Sequence, residues 1–266
     1  FSWDVNLNWY ANRNMVVSLA EGVPTLQLMS AWDVKIHASE GEPYGTIKGT
    51  DYVYTNGEIT VDSDGYLLIG DDPLAVIGNI NPDWMAGLTN TFRFKRLSVS
   101  ALIDMQKGGD IYSVSSKYGF ATGLYAETAG LNDKGNPKRD DVADGGGMRF
   151  DAVYEDGTPN DTYVYASQWG GYWYYGWSPT ARYIYDATYI KLREVAITYS
   201  VPASVLGNSF IRGLDVSLVG RNLWIIKKNT PYFDPEAILT SGNAQGIESG
   251  SYPSLRTFGV NLKLNF

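Results

Sequence analysis

The last twelve residues of the chain, 255–266, alternate between apolar and polar side chains from residue 258 onward. The apolar positions are Phe258, Val260, Leu262, Leu264 and Phe266, and the positions between them are Gly259, Asn261, Lys263 and Asn265. Side chains of a β-strand point to opposite faces in turn, so this segment is predicted to be a strand with one apolar and one polar face. A strand of about ten residues with this pattern suits the wall of a transmembrane barrel. The same alternation also occurs in soluble β-sandwiches.

The first nine residues of the chain repeat this pattern. Their apolar positions are Phe1, Trp3, Val5, Leu7 and Trp9, so three of the five side chains on this face are aromatic. Aromatic side chains concentrate where a membrane-spanning wall meets the two membrane–water interfaces. The opening segment therefore favours a wall strand that faces lipid.

The connections between predicted strands are either very short or very long. Lys95 and Arg96 alone separate two alternating segments, whereas about eighty residues (107–187) precede the next predicted wall strand. A second long connection covers residues 227–254. Outer-membrane barrels have short turns on the periplasmic side and long loops outside the cell. Both long segments are therefore predicted to be extracellular loops.

Further strands are predicted at 15–20, 33–39 and 44–54 from their composition and from the turn residues that flank them. With these segments the chain holds about nine predicted strands. The predicted fold class is all-β, as part of a transmembrane antiparallel β-barrel.

One predicted strand, 190–199, changes the parity of its apolar residues. Ile190 and Leu192 share one face of an extended strand, whereas Val195, Ile197 and Tyr199 would share the other. A β-bulge inserts one extra residue and moves the following side chains to the opposite face. We therefore predict a bulge near residues 193–194.

The composition excludes several classes of function. A net charge of −8 disfavours a nucleic-acid partner. The chain has no Cys, which excludes disulfides and thiolate metal sites, and its single histidine, His37, leaves no partner for a zinc site or a histidine-based triad. The acidic residues between 51 and 72 lack the ligand spacing of a calcium loop. No cofactor or metal ion is predicted.

The long connection contains an aromatic patch at residues 168–177, with three Trp and three Tyr. The candidate contact residues are Trp169, Tyr172, Trp173, Tyr174 and Trp177. Flat rings with polar edges stack on sugars, and they also pack in protein interfaces and membrane girdles. The pattern alone leaves three interpretations open: ligand contact, partner contact and girdle.

Several sequence blocks in fixed order carry a resemblance to a known family. They are FSW (1–3), NRN (12–14), NPDW (81–84), GGDIY (108–112), YIKLREVAITYSVP (189–202), GRNL (220–223), DPE (234–236) and SYPSLRTFGVNLKLNF (251–266). Over nearly its whole length the chain resembles the C-terminal part of the SusC/RagA-type TonB-dependent outer-membrane transporters of Bacteroidetes. The segment KKNTP (227–231) departs from the more aromatic, Gly-bearing sequence usual in that family, which affects only the identity of this loop.

The resemblance implies a plugged, roughly 22-stranded barrel in the outer membrane, with the C-terminus in the periplasm. Residues 1–266 would form its C-terminal portion, and the plug, the TonB-contacting segment and the remaining strands would lie in a preceding part of the polypeptide. Such transporters import oligosaccharides, or in some members peptides, with energy relayed through the TonB complex. They act under a SusD-like surface lipoprotein. Phe266 would then be the signal read during barrel assembly.

Two other classes of protein share part of the pattern. A secreted β-sandwich glycan-binding module would alternate in the same way and would carry surface Trp, but it does not need loops of about eighty residues. A barrel enzyme of the outer membrane would need a nucleophile with a base, and no Ser-containing motif lies near His37. Extraction separates the first alternative from a barrel, because a module is soluble without detergent.

Overall fold

The computed structural model describes residues 1–166, 178–207, 210–239, 242 and 245–266. Its strands are β1 (Ser2–Tyr10), β2 (Thr25–Ala31), β3 (Val34–Ser39), β4 (Thr46–Gly49), β5 (Tyr54–Thr55), β6 (Glu58–Ile59), β7 (Ala75–Asn79), β8 (Pro82–Phe94), β9 (Leu97–Gly108), β10 (Asp110–Ser113), β11 (Ile184–Asp186), β12 (Tyr189–Ser200), β13 (Gly213–Lys228), β14 (Ile247–Glu248) and β15 (Thr257–Asn265).

Helices are few and short. The described residues contain two α-helices, α1 (Val114–Ala121) and α2 (Ala203–Leu206), and separate 3-10 turns at Ala126–Thr128, Val142–Asp144 and Thr180–Tyr183. Among the described residues, no helix is both long and apolar enough to cross a membrane. The architecture is all-β, as the sequence predicts.

The largest unit is a six-stranded antiparallel sheet in the order β1-β8-β9-β12-β13-β15, which we call the wall sheet. One row of paired residues that crosses all six strands is apolar: Trp3, Phe92, Val99, Ile197, Leu218 and Val260. A parallel row is polar: Ser2, Arg93, Ser98, Thr198, Ser217 and Asn261. The two rows lie on opposite faces, so the wall sheet has an apolar face and a polar face.

The apolar face is largely uncovered. Trp3, Leu218 and Val260 have exposed fractions of 59%, 58% and 66%. Within the described residues the sheet does not close on itself, because β1 and β15 are its two edges. The wall sheet has six strands, compared with about nine predicted strands.

Two of the predicted strands that are absent from the wall sheet belong to a second sheet. β3 and β4 pair with β2 and β7 in a four-stranded sheet, and nearly every residue of β3 and β4 is buried. A wall strand exposes alternate residues to lipid, so the predicted strands at 33–39 and 44–54 do not belong to the wall. The prediction at 15–20 is wrong, because this segment is irregular.

The predicted bulge in β12 is confirmed. The register of β12 shifts between Leu192 and Glu194 against both of its neighbours. Leu192 lies opposite Ile103 and Val195 lies opposite Ala101, so the apolar residues on either side of the bulge share one face. The extra residue is Arg193, whose side chain becomes important below.

Long and short connections leave opposite ends of the wall sheet. The two-residue turn at Lys95 and Arg96 and the segment 201–212 lie at one end, and Lys95 takes a left-handed φ of 54° there. Three long connections, 11–81, 109–188 and 229–256, lie at the other end. The sequence predicts the two-residue turn and the second and third of these long connections, whereas it predicts wall strands within the first.

The described parts of the three long connections pack together into one unit, which we call the head. Its core holds buried side chains from all three: Ala31, Val34, Ile36, Ile47, Tyr112, Val114, Tyr183 and Ile247. β10 pairs with β11 and, in parallel, with β14, which joins the second long connection to the third. Full burial of a Val or Ile side chain contributes roughly 1.5–3 kcal/mol, so these contacts give the head a core of its own.

Candidate functional site

A cluster of charged side chains occupies the polar face of the wall sheet at its head end. Asp104 comes from β9, and Tyr189, Lys191 and Arg193 come from β12. Tyr189 and Lys191 share this face because they are two residues apart in a strand. Arg193 joins them, and the bulge also brings Glu194 to this face, where it binds Arg221 at 2.8 Å.

The third long connection, 229–256, supplies the matching carboxylates, and we call this connection the strap. Lys191 Nζ binds Asp234 and lies 2.5 Å from Glu236 Oε2. Arg193 bridges two carboxylates, with Nε 2.7 Å from Asp104 Oδ2 and Nη2 bound to Glu236. Two cations thus hold three carboxylates, two of which belong to the strap.

Neutral groups complete this cluster. The Tyr189 hydroxyl lies 3.2 Å from Asp104 Oδ2 and 3.1 Å from Glu236 Oε1, and the ring of Tyr189 lies 4.7 Å below Lys191 Nζ. Ser254 Oγ donates to Asp234 Oδ2 at 2.6 Å, so the returning limb of the strap is tied to its outgoing limb.

Burial makes the Lys191–Asp234 pair energetically significant. The two side chains have exposed fractions of only 5% and 7%. Removal of one partner from a buried pair leaves an uncompensated charge and costs about 3–5 kcal/mol. The Arg221–Glu194 pair on the same face is far more exposed, and such pairs contribute only about 0–1 kcal/mol.

The strap carboxylates are held in their charged form. Burial alone would raise the pKa of Asp234, but hydrogen bonds from Lys191 and Ser254 keep that pKa below its ordinary value of 3.8. Burial likewise opposes ionisation of Glu236, while Arg193 and Lys191 hold its pKa below 4.5. The cluster therefore contributes stability at neutral pH and loses it as the pH falls through these lowered values.

The strap is fixed to the second long connection as well as to the wall sheet. The buried Glu248 carboxylate accepts hydrogen bonds from Ser113 Oγ at 2.5 Å and Ser115 Oγ at 2.7 Å, at the start of α1. The Tyr232 ring stacks on Tyr125 with 3.7 Å between ring centroids. Both ends of the strap are therefore anchored.

A recess of about 480 Å³ opens beside the charged cluster on the polar face. Gly87 contributes no side chain to it, while Asp104, Arg193, Glu194 and Arg221 line it with donors and acceptors. These groups suit a polar solute with several hydrogen-bonding groups. In the described part of the chain, no group of three or more His, Cys, Asp or Glu side chains is placed to bind a metal ion.

The aromatic residues that the sequence predicts as ligand or partner contacts cannot be placed in the fold. Trp169, Tyr172, Trp173, Tyr174 and Trp177 lie outside the described residues, so their role stays a prediction.

Phe266 lies at the end of the chain next to the short connections. Its ring stacks on Phe210, with 5.7 Å between centroids and 3° between the ring planes, and it is 75% exposed. An exposed terminal aromatic ring is accessible to another protein, while its role in assembly stays a prediction.

The charged cluster was not predicted from the sequence as a site. Lys191 and Asp234 are 43 residues apart, and no local pattern pairs them. The available signals were the two basic residues of β12, Lys191 and Arg193, and the acidic motif at 234–236. Charges inside a membrane-spanning strand need a polar surrounding, which points to partners on the same face.

Comparisons with known proteins show that the chain is similar to TonB-dependent receptors. No family model matches the chain. TonB-dependent receptors P3 and P26 of Formosa agariphila are each 25% identical to it, over 296 and 295 aligned residues that include the whole chain. The chain spans 27% of the length of these two relatives.

Solved structures share the same fold. The RagAB peptide transporter matches with a TM-score of 0.60 at 18% identity, over 99% of this chain and 27% of that one. The RagAB peptide importer matches in its open-open state (TM-score 0.61, 16% identity) and in its closed-closed state (0.61, 19%), with the same coverage. These relatives are receptors and transporters rather than enzymes. The resemblance predicted from the sequence is thereby confirmed.

Proposed function

We propose that this chain, a segment of a SusC/RagA-type TonB-dependent transporter, forms part of the wall of an outer-membrane barrel that imports oligosaccharides or peptides. The observation that carries the proposal is the two-faced wall sheet, whose exposed side is apolar across all six strands. Soluble monomers rarely expose contiguous apolar patches above a few hundred Å². Lipid removes the cost of that exposure, and the polar face then lines the lumen.

The two edges of the wall sheet support a larger barrel. β1 and β15 each pair on one side only, and all of their residues are exposed. Unpaired backbone groups in lipid cost several kcal/mol each, so wall strands from the rest of the same polypeptide would pair with these edges. The remaining wall, the plug and the TonB-contacting segment would lie in the part of the polypeptide that its relatives have in addition.

The position of the head indicates how the wall sheet would be oriented in the membrane. Long loops of outer-membrane barrels face the exterior, so segments 107–187 and 227–254 would be extracellular and the C-terminus periplasmic. The head would then receive a SusD-like lipoprotein, with the aromatic patch at 168–177 in that interface or in the ligand chamber below it. The aromatic residues suit sugars, whereas the matched RagAB structures are of a peptide importer, so both substrate classes remain within the proposal.

A secreted β-sandwich glycan-binding module fits the structure less well. A sandwich covers the apolar face of each sheet with a second sheet. In the described ranges the apolar face of the wall sheet stays exposed, and the four-stranded sheet contributes to the core of the head instead.

Import by the complete transporter tests the proposal. The transporter and its neighbouring lipoprotein are expressed in a Bacteroidetes host, and uptake of fluorescent oligosaccharides and peptides is measured with and without TonB. We expect the transporter in the outer-membrane fraction and uptake of at least one probe class that is lost without TonB. Recovery in the soluble fraction, or uptake that is independent of TonB, would contradict the proposal.

A further inference from the structure

We propose that a recess at the head end of the wall sheet binds an outer-leaflet lipid whose headgroup is a phosphorylated sugar. The recess lies where β1 ends and β8 begins, and its volume is about 660 Å³. Two Trp rings, one guanidinium group, one carboxylate and several Asn amides line it. The inference rests on the proposed function for the direction of the membrane, whereas the geometry of the recess comes from contacts within the chain.

Two indole rings place the recess on the apolar face of the wall sheet. Trp9 of β1 has the same parity as Trp3, and Trp84 of β8 has the same parity as Phe92, so both rings belong to this face. Trp9 is 65% exposed. In a barrel wall the apolar face contacts lipid and the polar face lines the lumen. The occupant of the recess therefore comes from the membrane and not from the transport path.

The two ends of β1 indicate the depth of the recess in the membrane. Trp3 stacks on Phe92 near the short connections, with 5.9 Å between ring centroids, and Trp9 lies at the head end. At about 3.4 Å per residue, Trp3 and Trp9 are roughly 20 Å apart along the strand. This distance is of the same order as the apolar band, about 25 Å tall, that aromatic girdles flank on both sides. Trp9 and Trp84 therefore lie at the level of the outer lipid headgroups.

Two cations flank these rings. Arg13 lines the recess and is exposed, and among the described residues its guanidinium group has no ion-pair partner. Lys107 lies directly opposite Trp84 and is half exposed. Its Nζ is 3.7 Å from Asp186 Oδ2, and such an exposed pair contributes little. Guanidinium groups bind phosphate through two parallel hydrogen bonds, so Arg13 suits a headgroup phosphate.

A network of Asn side chains fixes the backbone that carries Arg13. The Tyr44 amide donates to Asn14 Oδ1 at 2.7 Å, and Asn14 Nδ2 donates to Asn81 Oδ1 at 3.3 Å. Asn81 Nδ2 also donates to the Tyr44 carbonyl at 2.6 Å and to Asn79 Oδ1 at 2.7 Å. These bonds join the NRN and NPDW motifs, which have no role in the proposed function. A fixed backbone lowers the cost of ordering the site when a ligand binds.

The carboxylate in the recess favours a sugar headgroup over phosphate alone. Asp83 lines the recess and is exposed. A phosphate near this carboxylate would be repelled, whereas the hydroxyl groups of a sugar donate hydrogen bonds to it. Indole rings also stack on the faces of sugars. A phosphorylated sugar therefore matches both the cations and the carboxylate.

The experiment measures lipid binding by the complete transporter in detergent, with bound lipids counted by native mass spectrometry. The test ligand is lipid A, a phosphorylated disaccharide with acyl chains, and the comparison ligands are dephosphorylated lipid A and phosphatidylglycerol. We expect lipid A to bind most tightly and Arg13→Gln to weaken its binding roughly tenfold, as for the loss of a hydrogen bond to a charged group. Arg256→Gln, which removes an exposed arginine beside β15 and outside the recess, should leave binding unchanged.

Equal effects of Arg13→Gln and Arg256→Gln would overturn the site, because general electrostatic attraction would then explain the binding. Phosphatidylglycerol that binds as tightly as lipid A would overturn the sugar. Inorganic phosphate that competes at the affinity of lipid A would overturn the lipid. If Arg13→Gln fails to assemble, Arg13→Lys serves in the same test, because lysine binds phosphate only as a point charge and should still weaken the binding of lipid A.

The second readout shows whether the recess faces lipid in outer-membrane vesicles. A photoreactive p-benzoylphenylalanine in place of Ala11, which lines the recess, should cross-link to lipid A. The same residue in place of Ser98, on the polar face, should not. Cross-linking at position 11 to protein alone would overturn the inference. Parent uptake with and without TonB reports separately on the proposed function, since import without binding of lipid A refutes only the lipid site.

Discussion

The substitution Leu262→Arg tests the assignment of the two faces most sharply when it is paired with Lys263→Arg. Leu262 lies near the middle of β15, opposite Val216, and is 60% exposed on the apolar face. Because the side chain packs against few neighbours, its replacement leaves no large cavity. The penalty is therefore mainly the transfer of a guanidinium into lipid, about 2–4 kcal/mol at mid-membrane.

That penalty corresponds to a roughly 30- to 900-fold change in the ratio of folded to unfolded protein, at 1.36 kcal/mol per factor of ten. Lys263→Arg keeps a cation on the polar face and should change the ratio less than threefold. The assay is urea-dependent folding of the complete transporter into lipid vesicles, with the folded fraction read from its heat-modifiable gel mobility. Equal effects at both positions would refute the assigned register, since a slip of one residue exchanges the faces.

Three further predictions address the head, the terminus and the strap. Replacement of Trp169, Trp173 and Trp177 by Ala should leave assembly intact but weaken either pull-down of the lipoprotein or uptake of solute. The reason is that a stacked pair of rings contributes about 0.5–1.5 kcal/mol beyond burial. Normal values in both assays would assign these residues to a girdle. Deletion of Phe266 should lower the outer-membrane level of the transporter in immunoblots, and wild-type levels would exclude a role in assembly. Asp234 and Glu236 have lowered pKa values, so they lose their charge, and with it their ion pairs, only in strong acid. Pepsin should therefore cleave the strap increasingly as the pH falls from about 4 towards 2. Cleavage that does not differ between the parent and Lys191→Met at any pH would contradict this assignment.

The wall sheet was predictable because its apolar face and its polar face impose opposite requirements on adjacent residues. Alternation identified β1 and β15, and the change of parity in β12 located its bulge. The two-residue turn at Lys95 and Arg96 followed from the spacing of two alternating segments. In each case one strand and its immediate neighbours contained the whole signal.

The head and the strap were not predictable in the same way. The sequences of β3 and β4 indicate strands, but only long-range packing with Tyr112 and Ile247 places them in a second sheet instead of the wall. The pairing of Lys191 with Asp234 likewise depends on the path of a whole connection. Local periodicity reports that a residue is in a strand and does not report which sheet buries it.

The accessibility of each residue of β15 to lipid tests most directly whether the apolar face of the wall sheet faces the membrane. A nitroxide label is placed on single cysteines at each residue from 258 to 264 of the complete transporter in vesicles. Its relaxation by oxygen, which partitions into lipid, is then compared with relaxation by a water-soluble nickel chelate. We predict that oxygen accessibility peaks at Phe258, Val260, Leu262 and Leu264 and falls at the positions between them. A profile without a period of two, or with peaks at Gly259, Asn261 and Lys263, would contradict it.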